Sequence, residues 1–271
     1  MISLLITRRF LVFVLLAFVS QFLSFSEAFA QATFQERVDA ALASLRTVPT
    51  GYKIANEINS AKSWLQIVEL PMSAIGSQGK IEYGLDGKGK LLIADLKNVD
   101  QMALTIAHEF QHIKDMRPLI ERLKQNMTSF TPEMLERFKK FFYINKCFEA
   151  KPLGECIKEN GKEAVDWGLL HHFSNEFRAY MGELQLQKEN PTKFNMSVGQ
   201  EKWDEEYIKE YVQKEYLLKR YHVRLPKDWI DQVAVEAKSF YSLLDLCERY
   251  MPDIFSRATI SINKPDPSSS R

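Results

Sequence analysis

His108-Glu109-Phe110-Gln111-His112 gathers two imidazoles and a carboxylate in one short run. On a helix, side chains at i and i+4 stack on one face, so His108 and His112 stand one turn apart. Two neutral imidazoles in that arrangement bind one tetrahedral metal ion from the same side. Glu109 follows the first histidine and points beside the ion, where it can take a proton from a metal-held water. The whole chain contains five histidines, and accident yields His-Glu-x-x-His in roughly one chain in a hundred or fewer. A lone histidine is more often a satisfied core residue. The pair does not read that way, because it lies on an amphipathic helix directly after an apolar strand.

That helix is predicted over Val99–Met116. Asn98 is placed to cap it, with Gln101 in the reciprocal position. Val99, Ala103, Ile106, Phe110 and Ile113 recur at helical spacing as a core-facing stripe. Upstream, helices are expected over Phe34–Leu45 and Tyr52–Lys62, separated by a break at Pro49-Thr50-Gly51. Trp64–Leu70, Ile81–Tyr83 and Lys90–Leu96 read as strands, with a flexible turn at Gly84–Gly89. Downstream, helices are expected over Ile120–Gln125, Pro132–Tyr143, Glu163–Lys188, Trp203–Tyr221 and Pro226–Tyr250. The expected fold is a mostly helical α+β domain with a small antiparallel sheet packed beside the motif helix.

The motif resembles the signature of the zincin metallopeptidases. Metzincins continue with a glycine and a third histidine at fixed spacing, and here Asp115 and Pro118 occupy those places. The alternative is the gluzincin pattern, in which a glutamate on a later helix completes the metal site. Asn175-Glu176-Phe177-Arg178-Ala179-Tyr180 resembles the start of that second motif, in an exported bacterial branch of the group. The resemblance implies a zincin-like fold and Zn2+ held by His108, His112 and Glu176, with Glu109 as general base. Glu183 and Glu163 are reserve ligands, and small Ala179 would let the two helices approach closely. In thermolysin-like relatives an aspartate one turn after the ligand glutamate orients a ligand histidine. Tyr180 stands there instead, so another group must serve. Tyr180, His171 and His172 are candidates to stabilise an oxyanion, Tyr180 and His172 foremost. Lys90–Leu96 corresponds to the edge strand that aligns an extended peptide. The stretch between His112 and Glu176 would be an insertion that narrows the cleft.

The rest of the sequence bounds the setting. Of 271 residues, 45% are hydrophobic and 26% charged, at a net charge of +1. That balance excludes a partner held by bulk charge, nucleic acid above all. Arg8-Arg9, the apolar run from Phe10 to about Phe25, and Ser26-Glu27-Ala28-Phe29-Ala30 read as a cleaved signal peptide over 1–30. An uncleaved anchor is the competing reading. A catalytic domain over 31–255 and a disordered tail over 256–271 would follow, in a periplasmic or secreted protein without stable membrane insertion. In an oxidising compartment Cys147 and Cys156 are expected to pair across Pro152 and Gly154, leaving Cys247 as a buried thiol. Three free buried cysteines are the alternative. The expected partner is a peptide or protein substrate. Two other functions fit the same residues: a secreted zinc-binding protein without peptidase activity, or a helical periplasmic interaction module. The module would use the aromatic face of Trp203, Tyr207, Tyr211, Tyr216 and Tyr221, residues that are more often core.

Overall fold

The computed structural model describes residues 33–71, 78–84, 86–195, 202–239 and 243–255. The expected signal peptide over 1–30 and the expected tail over 256–271 lie outside them. The chain is mostly helical with one small sheet. The elements are α1 (33–45), α2 (Pro49–Ser60), β1 (Leu65–Glu69), β2 (Gly79–Tyr83), β3 (Gly89–Ile93) and α3 (Val99–Asn126). They continue with α4 (Pro132–Phe142), α5 (Ile144–Ala150), α6 (Leu153–Asn160) and α7 (Lys162–Glu189). The last are α8 (Glu205–Val212), α9 (Lys219–Tyr221), α10 (Lys227–Ser239), α11 (Leu243–Tyr250) and α12 (Pro252–Phe255). A π-helical stretch, Gln213–Leu218, joins α8 to α9, and His222 ends that run in the left-handed region at φ 55°. No helix among the described residues is long and apolar enough to cross a membrane.

Contacts divide the chain into two compact units. The first holds α1, α2, the sheet, α3 as far as Phe110, and α7 from Gly182 onward. Its core is built from Val38, Leu45, Ile58, Leu91, Ile93 and Ile106, all buried. Arg37 of α1 pairs with Asp95, and Thr50 of α2 is held by the Glu189 carboxylate at 2.5 Å. Pro49 does not simply break the chain after α1. It opens α2, where its fixed φ suits the first turn and its missing N–H costs nothing.

The three-stranded sheet has the order β1-β3-β2. β2 and β3 form an antiparallel hairpin whose turn is closed by the Gly84 N–H on the Lys88 carbonyl at 2.9 Å, with Gly87 at φ 84°. Only a residue that tolerates positive φ fits there without strain. β1 pairs with β3 in parallel register, Leu65 opposite Gly89. The sheet is therefore mixed rather than antiparallel. It also follows that β3, expected as the edge, is the central strand with both ladders occupied. The chain leaves β1, passes β3 and returns as β2 on its far side. Alternation over so few residues is the same for either strand direction, so the pattern alone could not separate the two.

The second unit holds α3 from Gln111, α4 to α6, α7 to Met181, and α8 to α12. Phe148, Trp167, Phe173, Phe177 and Phe255 are almost wholly buried in it. Cys147 and Cys156 form a disulfide that staples α5 to α6, and Cys247 is a buried free thiol. α3 does not end near Met116 but runs through Pro118 to Asn126. Proline removes one ladder bond. Burial of Leu119 and Leu123 just beyond it holds the continuation in place. The expected helix over Pro226–Tyr250 is two helices, α10 and α11, with 240–242 outside the described residues.

Candidate metal centre

α3 carries the motif. Asn98 caps it as expected, its Oδ1 accepting from the backbone N–H of Asp100 at 2.9 Å and of Gln101 at 3.1 Å. The Gln101 side chain does not return to the cap. It donates to the Gln78 side chain at 3.3 Å instead. His108, Glu109 and His112 follow on the buried part of the helix, at 8%, 9% and 5% exposure. α7 carries Glu176 and, about two turns on, Glu183.

The His112 Nε2 lies 3.8 Å from Glu176 Oε1. Potential ligand atoms of His108, His112 and Glu176 all fall within 4.8 Å of one another, a group that can hold a metal ion. Two donors on one tetrahedral first-row metal, with bonds near 2.0–2.1 Å, stand about 3.4 Å apart. The donors therefore need only a small closure around an ion. Two neutral imidazoles and a carboxylate in a largely buried place also carry a single negative charge that a divalent cation more than offsets.

The carboxylate that meets His108 is that of Glu183. His108 Nδ1 is 2.6 Å from Glu183 Oε1. A carboxylate on Nδ1 fixes the proton there and makes Nε2 the nitrogen with the lone pair, the usual support for a metal-binding imidazole. Glu183 thus belongs behind His108, while the reserve ligand Glu163 is bonded to Arg137 of α4 at 3.3 Å. Sequence offered one signal for Glu183. It lies seven residues after Glu176, which returns it to the same helix face.

The other candidates are placed as follows. The Tyr180 hydroxyl shares a hydrogen bond with the Tyr216 hydroxyl at 2.9 Å. Its ring packs against Trp203 and Tyr211. His172 lies beside Phe148 and Tyr221, with the Tyr221 hydroxyl 3.3 Å from its Nδ1, and burial holds its pKa well below the ordinary range. The histidine of α7 that feels the cluster is His171. Burial foremost, and then the charge of His112, lower its pKa to about 4 against the opposing pull of Glu176. His171 opens onto a small cavity shared with Asp115, Ser174, Asn175 and Arg178. Ser174 is buried, and its hydroxyl has no hydrogen-bond partner among the described residues.

Asp115 closes that cavity. It bonds Gln111 at 2.9 Å and pairs with Arg178 at 3.0 Å, yet burial outweighs both and raises its pKa to about 6. Asp115 and His171 therefore respond to acid in opposite senses. Unfolded His171 takes up its proton near 6.5 and the folded form only near 4, so folding loses about 3 kcal/mol as pH falls through that window. Folded Asp115 takes up its proton near 6 and the unfolded form near 3.8, so folding gains about 3 kcal/mol over nearly the same window. In metal-free protein, Asp115→Asn should make the urea midpoint fall between pH 6.5 and pH 4. His171→Gln should make it rise. Equal pH dependence in the two variants would contradict this balance.

One further residue near the motif was not anticipated. Gly79, the first residue of β2, lies directly against the Glu109 side chain. That contact places the sheet beside the motif helix, as expected. No sequence signal marks it, because it arises only when strand and helix pack. The chain matches no protein-family model, no curated protein and no solved structure, so the functional reading rests on the chemistry of this site.

Proposed function

We propose that the protein is an exported zinc metallopeptidase of gluzincin type, with His108, His112 and Glu176 as ligands and Glu109 as general base. The observation that carries the reading is the His108–His112–Glu176 group, its histidines buried and its glutamate half-buried, with Glu109 on the same helix and Glu183 behind His108. Zn2+ suits two imidazoles and one carboxylate better than a hard cation does, and three protein ligands leave a fourth position open. When bound, zinc supplies a Lewis acid that polarises a carbonyl and brings the pKa of water towards neutrality.

The chain's own residues do the rest. Glu109 takes the proton of the attacking water and delivers it to the leaving amine. His171, uncharged at neutral pH and beside His112 and Glu176, is the favoured donor to the developing oxyanion. With β3 in the centre of the sheet, alignment of an extended peptide falls to an edge strand, and β2 is the edge strand that touches Glu109. The Cys147–Cys156 bridge supports an oxidising compartment, and hence a periplasmic or secreted site of action.

Incubation of the purified protein with an unfolded protein or a peptide pool tests the proposal. Cleavage should occur, stop with a chelator and return with zinc. Stoichiometric zinc without cleavage would leave a metal-binding protein only, and no bound metal would refute the site.

A further inference from the structure

Gly79 is the position from which this inference starts. A Cβ built there would lie 2.5 Å from Glu109 Cγ, 2.8 Å from its Cδ and 2.6 Å from its Oε1. Real Cβ atoms do not approach so closely, so any side chain at 79 must displace the carboxylate. Glu109 is itself buried, so little open space is available to receive it.

The backbone gives glycine no other reason to be there. The glycines with positive φ among the described residues are Gly87 and Gly161, so Gly79 is in a conformation any residue adopts. It pairs with Ile93 in the antiparallel ladder, within a regular strand. Glycine at such a place weakens a strand, because it adds backbone entropy to the unfolded chain and packs nothing. A residue that costs stability and satisfies no conformational need marks a close approach. Here what approaches is the side chain that the proposed reaction uses as its base.

We infer that Gly79 is a positioning residue for Glu109: its missing side chain reserves the volume in which the carboxylate sits, and so sets where the proton is taken. The inference rests on the reading of Glu109 as general base, but its steric half does not. In the peptidase, a carboxylate moved by about an ångström loses rate rather than substrate affinity, and such a misplacement costs on the order of a hundredfold. The three atoms nearest the added methyl all belong to Glu109 and none to the proposed ligands His108 and His112, so metal content should stay the same.

The test uses the full mature chain with Gly79→Ala, Glu109→Ala and the double variant. Gly79→Ala should lower kcat on the peptide pool by about a hundredfold, with KM within about twofold and bound zinc unchanged. In metal-free protein, the urea midpoint should change more favourably on Gly79→Ala in the Glu109→Ala background than in the wild type, because the methyl then meets no carboxylate. Wild-type kcat in Gly79→Ala would overturn the inference, and so would a rise in KM or a loss of zinc that accounts for the whole decline. The same midpoint change in both backgrounds would also overturn it. If the wild type cleaves no peptide, the peptidase reading fails, and the midpoint comparison still decides the steric claim.

Discussion

Replacing Glu109 with glutamine is expected to leave the metal bound and to lower peptide hydrolysis by about 10²- to 10⁴-fold. Glutamine keeps the shape of the side chain and its fit against Gly79, but its amide cannot accept a proton at neutral pH. His108, His112 and Glu176 keep their donors, so metal content measured by elemental analysis should match that of the wild type. The comparison is informative because the two readouts separate. Lost rate with retained metal assigns the base to Glu109. Wild-type rate in the variant would remove Glu109 from the chemistry, whatever the metal does.

The second large effect is on the metal and, through it, on folding. Zinc at about a hundred times its dissociation constant should stabilise the wild type by about 2.7 kcal/mol, because it binds only the folded site. Glu176→Ala removes a ligand and should abolish most of that gain. Glu183→Gln leaves all three ligands in place. It weakens the bond to His108 Nδ1, 2.6 Å in the wild type, and should cost only about 10- to 100-fold in affinity. Calorimetric melting of each protein with and without zinc reads both effects. Equal zinc stabilisation of Glu176→Ala and wild type would move the third ligand elsewhere. An effect of Glu183→Gln as large as that of Glu176→Ala would make Glu183 a ligand rather than a support.

The parts of the site that were legible in the sequence are those set by local spacing. His108, Glu109 and His112 share one helix, so their relation is a property of five residues and a helical pitch. Asn98 as a cap and α7 as a single long helix follow from similarly local signals. Cys147 and Cys156 pair because little chain separates them and the segment between turns back. What stayed hidden depends on tertiary packing. Glu183 was visible only as a spare carboxylate, since its role depends on which imbalance His108 presents to α7. Gly79 and Glu109 meet across strand and helix, and nothing in either segment announces the other. The neighbour of each strand could not be read either, because β1 and β2 carry no mark saying on which side of β3 they fall. The helix expected over Val99–Met116 runs on through Pro118, where the apolar residues that follow outweigh the lost ladder bond.

The bond between His108 and Glu183 joins residues 75 apart in the chain. Closing a loop of that length costs about 4 kcal/mol of chain entropy before any contact returns it. Contacts of such long range form late in folding, after the local helices have grown. The histidines of α3 are thus made well before the residues that complete their surroundings. The consequence is a matter of timing: as the chain emerges, the candidate ligands on α3 exist before the group that could hold a metal ion. The group that could hold a metal ion is complete only once α7, which carries Glu176 and Glu183, is in place.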